Sequence, residues 1–175
     1  MIDRLYGLLL RVFGRLPRPL RRQLVRAGSP KFTVGAVCFV QRSDGDILFV
    51  RHSYWDRWGT PGGLSKRGEP PTETAVRETT EEVNLDIVLI GAPAVVVEPH
   101  LHRVDIVFLA RPAPGAALGD VRPNSAEITR VGWFRPDGLP DLQSETSTAL
   151  VALARTGIID LPGSGITPSS ARPTR

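Results

Sequence analysis

The chain holds one cysteine, Cys38, among 175 residues, so no disulfide can form within it. Cys38 lies inside the apolar run Val34-Gly-Ala-Val-Cys-Phe-Val40 and is expected to be a buried structural thiol. Nothing else reads as a secreted disulfide scaffold, so a reducing, cytoplasmic setting is the expectation. Long apolar runs are absent too, which excludes a bilayer-spanning helix from the reading. The N-terminal stretch does not read as a signal peptide, because Arg4 and Arg11 bound an apolar core of only about six residues and no small-residue cleavage site follows. No Gly-x-x-x-x-Gly-Lys-Ser/Thr loop occurs, Gly62, Gly63 and Gly68 lack dinucleotide-fold spacing, and no serine sits in a nucleophile elbow. His100 and His102 flank Leu101 just after Pro99 and read as turn residues; two histidines without a third ligand make no metal centre.

What is present suits one soluble domain with appendages. At 175 residues and 41% apolar composition the chain can bury a self-sufficient core. Apolar or alternating runs at 33–40, 46–51, 87–97, 104–110 and 128–134 predict strands, and 72–83 and 142–156 predict helices. Interleaved in this order, they suit an α/β fold with a mixed sheet between helices. Residues 161–175 are rich in Pro, Gly and Ser and predict a disordered tail, which leaves 32–160 as the domain. Residues 1–31 carry eight basic side chains and one acid, whereas the remainder carries fourteen basic and seventeen acidic residues. Leu5, Leu8, Leu9, Val12, Phe13 and Leu16 recur at helical spacing among those arginines until Pro17 and Pro19 interrupt. The segment therefore predicts a basic amphipathic helix. Its apolar face is expected to pack on the domain or on a second subunit in a homodimer, with an anionic membrane surface or nucleic acid as the other partners weighed.

The chemistry concentrates between Gly63 and Leu85. On a helix over about 71–83, Glu78, Glu81 and Glu82 stand at i, i+3 and i+4 and crowd one face. Like charges so placed cost a few tenths of a kcal/mol per pair, a cost that a hard cation with oxygen ligands, Mg²⁺ or Mn²⁺, offsets directly. Ala75, Val76, Thr79 and Val83 form a second, core-facing stripe, so the acids are expected to point away from the core. A solvated acidic face is the plainer explanation of three glutamates alone. Glu69 changes that balance, because it precedes the helix in a loop with Gly62, Gly63 and Gly68, residues that let backbone approach an anion.

This run resembles the Nudix box: Gly, five residues, Glu, seven residues, Arg-Glu, an apolar residue, any residue, Glu-Glu, any residue, Gly, apolar. Gly63, Glu69, Arg77, Glu78, Glu81, Glu82 and Leu85 fall on it, while Thr79 replaces an aliphatic residue and Asn84 replaces glycine. Asn84 is expected to close the helix in the left-handed conformation, and Thr79 to bond back to the Ala75 carbonyl. Pro71 suits a first helical position, but Pro70 offers no capping oxygen. Ile47–Arg51, Trp58–Gly63 and Glu127 through Trp133-Phe134 look like the family's usual surroundings, so the resemblance covers roughly residues 32 to 156.

The resemblance implies the Nudix α/β/α sandwich and a Mg²⁺-dependent hydrolase acting on a nucleoside diphosphate linked to another moiety. It carries Glu78, Glu81 and Glu82 over as metal ligands, with Glu69 as an accessory ligand or base. The proton acceptor varies within the family; Glu127 is the first candidate here and Glu98 the second. Arg77 is expected to orient Glu69 or another acid of the box. Arg51 is a candidate for a substrate phosphate, since a guanidinium fork suits phosphate oxygens. Gly62 and Gly63 are candidates for backbone contact. Tyr54, Trp55 and Trp58 precede the glycine turn and are candidates for stacking on a nucleobase, with core packing the competing fate of Trp58. Two other functions stay open: a Nudix-fold ligand-sensing module with weak turnover, and an RNA 5′-end pyrophosphohydrolase whose arm contacts phosphates.

Overall fold

The computed structural model describes residues 2–159, so the predicted tail at 161–175 lies outside the described residues. The chain divides into two compact units between Lys31 and Phe32. The first holds helices α1 (Ile2–Arg15) and α2 (Arg18–Gly28). Reading Pro17 and Pro19 as the end of helical structure missed α2. A proline lacks the N–H that the first helical turn leaves unpaired in any case, so Pro19 starts this helix without harm.

The second unit contains strands β1 (Thr33–Val40), β2 (Ile47–His52), β3 (Trp58–Gly59) and β4 (Gly62–Leu64), then helix α3 (Pro71–Val83). Strands β5 (Ile87–Glu98), β6 (Arg103–Pro112) and β7 (Ile128–Phe134) and helix α4 (Ser144–Ala154) complete it. One sheet has the order β4-β1-β6-β5 and the other β3-β2-β7. Strands β1 and β6 run parallel and the other pairs of these strands are antiparallel, which makes the mixed arrangement expected.

Burial explains why β1 reads as a nearly continuous apolar run. Ala36, Cys38 and Val40 belong to one core with Ala75 and Val83 of α3, while Phe39 belongs to the other with Leu150 and Leu153 of α4. Successive strand residues face opposite ways, so a strand covered by helices on both sides needs apolar residues at every position. The layers are helix, sheet and helix.

Helix α3 follows its sequence closely at both ends. Pro70 precedes it without a side-chain cap, and Asn84 closes it at φ 54° and ψ 47° with its N–H donating to the Thr80 carbonyl at 3.0 Å. Thr79 is fully buried and its hydroxyl donates to the Ala75 carbonyl at 2.8 Å. One expectation needs correction: Glu82 does not point away from the core but is only 6% exposed. It stands one turn from Thr79 on the edge of the core-facing stripe, where the β4 backbone closes over it.

Cys38 is fully enclosed, and burial pushes its thiol up to about 12. The native protein is therefore expected to leave a thiol reagent such as DTNB unconsumed at neutral pH, and to react with one equivalent once unfolded in guanidinium. Rapid labelling of the native form would show that β1 opens far more readily than its burial implies.

Candidate active site

Strand β4 and helix α3 bring glycine and carboxylate together. Gly62 and Gly63 pair with Val37 and Ala36 of β1, which fixes this backbone against the sheet. The Gly62 N–H donates to Glu82 Oε2 at 3.3 Å. Glu78 lies across Gly63, where a Cβ would fall 2.6 Å from its carboxyl carbon, so the close approach requires glycine.

Arg77 holds three of the box carboxylates. Its Nε and Nη2 fork onto Glu69 at 2.7 and 3.0 Å, and its Nη1 reaches Glu78 at 2.6 Å and Glu81 at 3.1 Å. The Lys66 N–H adds a bond to Glu69 Oε2 at 2.8 Å. Arg77 and then this backbone bond hold the Glu69 carboxyl down at about 2, and the same pairing raises Arg77 above its ordinary range. The ion pair expected between Arg77 and Glu69 is present.

Glu82 is the opposite case. Burial pushes its carboxyl up to about 8, the Gly62 N–H pulls it back, and Glu78, Glu127 and Glu81 push it further up. A carboxylate enclosed among other carboxylates is held back from ionising until a proton or a cation neutralises it.

Glu78, Glu82 and Glu127 line one cleft of about 630 Å³, with Gly62 and Gly63 in its wall. Glu127 is anchored where its carbonyl accepts the Ser53 N–H at 2.7 Å, and Glu98 reaches the same cleft from the end of β5. Tyr54 and Trp55 line it as well while remaining 63% and 55% exposed, an aromatic surface open to a planar ligand.

Two expected substrate contacts are not brought to the cleft. Arg51 ion-pairs with Asp56 at 3.2 Å, and its neighbour His52, which faces the other way along β2, lines the cleft instead. Trp58 packs edge-on against Phe134 with ring centroids 4.8 Å apart, as part of the core beneath α4. Glu69, Arg77 and Glu81 do not line the cleft, and Arg77 links both acids to Glu78, which does.

Sequence reasoning missed His52, Gln143 and the pair Arg103–Asp105, all of which line the cleft. Asp105 is only 8% exposed, accepts Arg103 Nε at 2.9 Å and lies against Gly35, whose missing Cβ leaves it room. An acid alternating with Val107 and Leu109 on one strand face was the available signal. For His52 and Gln143 the local sequence carries none, because 91 residues separate two side chains whose nitrogens come within 3.4 Å.

Arg77→Ala is expected to lower metal-free stability by about 1–2 kcal/mol, because it leaves Glu69, Glu78 and Glu81 without their shared donor. Arg77→Lys, with a point charge and no fork, should fall between. Urea unfolding of the three proteins checks this, and equal midpoints would show that the pairing is incidental.

A family model described as NUDIX domain matches residues 31–153. The chain is similar to a "MutT-like protein" of Streptomyces ambofaciens, 28% identical over 116 residues that cover 66% of this chain and 72% of that protein. It is also 29% identical over 141 residues to a "Putative 8-oxo-dGTP diphosphatase 3" of Mycobacterium tuberculosis, covering 69% of this chain and 64% of that one. The fold resembles the crystal structure of a NUDIX hydrolase from Nitrosomonas europaea, with a TM-score of 0.61, 23% identity and coverage of 70% and 69% of the two chains.

Proposed function

The chain belongs to the NUDIX domain family, and from that footing we propose that it is a Mg²⁺-dependent hydrolase that splits a nucleoside diphosphate linked to a second moiety. The convergence of Glu78, Glu82 and Glu127 on one cleft walled by Gly62 and Gly63 carries this reading. The relative named as a putative diphosphatase supports the reaction class.

The residues fit a hard divalent cation. Their donors are carboxylate oxygens only, which favours Mg²⁺ or Mn²⁺ over softer metals. Among the described residues no three His, Cys, Asp or Glu side chains already converge as a metal cage. Glu78 and Glu81 nevertheless share one cationic centre, Nη1 of Arg77, so their carboxylates are placed to accept positive charge between them. Glu78, Glu81 and Glu82 are the residues that would hold the metal, with Glu69 in an accessory place. When bound, such an ion polarises a phosphorus and neutralises the departing oxygen.

The chain's own groups supply the rest. Gly62 fixes the Glu82 carboxylate through its N–H, and Arg77 fixes Glu78. Glu127 faces the cleft and is the assigned acceptor of the proton from the attacking water; Glu98 is the alternative. Tyr54 and Trp55 offer the faces on which a nucleobase would stack. Water adds to one phosphorus, the bridging P–O bond breaks, and two phosphorylated products leave.

The test is phosphate release, with added phosphatase, across nucleoside diphosphate derivatives and 5′-capped oligonucleotides, with Mg²⁺ or with chelator. Turnover of one class that vanishes with chelator is the expected result and names the second moiety. Silence across the panel from a folded protein that binds Mg²⁺ would favour the ligand-sensing function.

A further inference from the structure

We infer that the N-terminal unit is a peripheral membrane module that seats this protein on bilayers containing anionic lipid. The inference concerns helices α1 and α2 alone and does not depend on the hydrolase reading.

Each helix separates basic from apolar residues. In α2, Arg18, Arg22 and Arg26 stand at i, i+4 and i+8, and Leu20, Leu24 and Ala27 occupy the opposite side. In α1, Arg11 and Arg15 stand opposite Tyr6, Leu10 and Phe13. Like charges spaced four apart weaken a helix in water, so both arginine rows await negative charge. The apolar rows await cover: Leu20 and Leu24 are 42% and 49% exposed, Tyr6 and Leu10 are 63% and 51% exposed, and α2 buries no residue.

A partner must therefore satisfy both rows at once. Nucleic acid would neutralise the arginines but leave the leucines in water. A second copy would cover the leucines but bring together two segments that each carry eight basic residues and one acid. An anionic bilayer surface takes the apolar row into its acyl boundary while its headgroups meet the arginines. Among the described residues no helix is long and apolar enough to span: the 14 residues of α1 reach about 21 Å, short of the roughly 30 Å hydrocarbon core. The helices lie on the surface.

The full-length protein should co-float with vesicles of phosphatidylcholine plus phosphatidylglycerol and not with phosphatidylcholine alone, and high salt should weaken the association. Replacing Arg11, Arg15 and Arg22 together with Gln should lower the partition coefficient on the order of a hundredfold, at about fivefold per charge. Leu20→Gln with Leu24→Gln should weaken binding at unchanged net charge, and a thermal melt of each variant controls for the fold of the second unit. Three results would overturn the inference: no preference for anionic vesicles, tight binding to an oligonucleotide that the leucine changes leave intact, or a dimer in solution that the leucine changes dissociate.

Discussion

Replacing Glu82 with Gln is expected to lower turnover at saturating Mg²⁺ by about a hundredfold or more, with metal affinity weakened and the fold retained. The substitution keeps shape and leaves an amide oxygen to accept the Gly62 N–H, so packing is preserved. It removes charge where charge matters most, since Glu82 is 6% exposed and faces Glu78 and Glu127. For the same reason the metal-free variant should be at least as stable as wild type, because a neutral amide costs less to bury than a carboxylate among carboxylates. Lost activity with retained or raised metal-free stability is the signature of a functional carboxylate. Undiminished turnover at saturating Mg²⁺ would remove Glu82 from the mechanism, and a large loss of metal-free stability would assign it a structural role.

The neighbouring glycines should part company when each is changed to alanine. At Gly62 a Cβ would overlap the Ala36 carbonyl and lie 2.8 Å from the Val37 Cα, both in the backbone of β1. Strand β1 cannot retreat, because β6 pairs with it along its whole length on the other side. Gly62→Ala should therefore cost about 2–3 kcal/mol of stability, whatever it does to activity. At Gly63 the obstacle is the Glu78 carboxylate, the far end of a side chain that can swing aside. Gly63→Ala should fold with a cost under about 1.5 kcal/mol, yet lose at least tenfold in turnover because Glu78 has been pushed out of place. Denaturant midpoints and turnover measured on both variants check the contrast. Equal stability losses at the two positions would show that β1 is softer than its pairing implies, and full activity of Gly63→Ala would show that the placement of Glu78 is not critical.

Much of this was legible beforehand where the physics is local. Helix α3, its uncapped proline start, its Asn84 closure and the bond from Thr79 to Ala75 each depend on residues within four or five positions of one another. The strand segments were readable from their apolar runs, and the hairpin at Pro99–His102 from its turn residues. The short strands β3 and β4 were not, because two or three residues carry no periodicity and exist only through their partners.

The sequence by itself determined which carboxylates cluster, since Glu78, Glu81 and Glu82 share a helix face through the helical repeat alone, and it placed Glu69 and Arg77 in reach. Tertiary structure decided what surrounds each of them. Burial beneath β4 separates Glu82 from the exposed Glu81, although the two are adjacent in the chain. Chain folding also brings Glu127 and the Arg103–Asp105 pair to the same cleft and turns Trp58 into the core. The reason is one of range: helix geometry acts over a few residues, whereas desolvation and charge coupling depend on which distant segments pack against them.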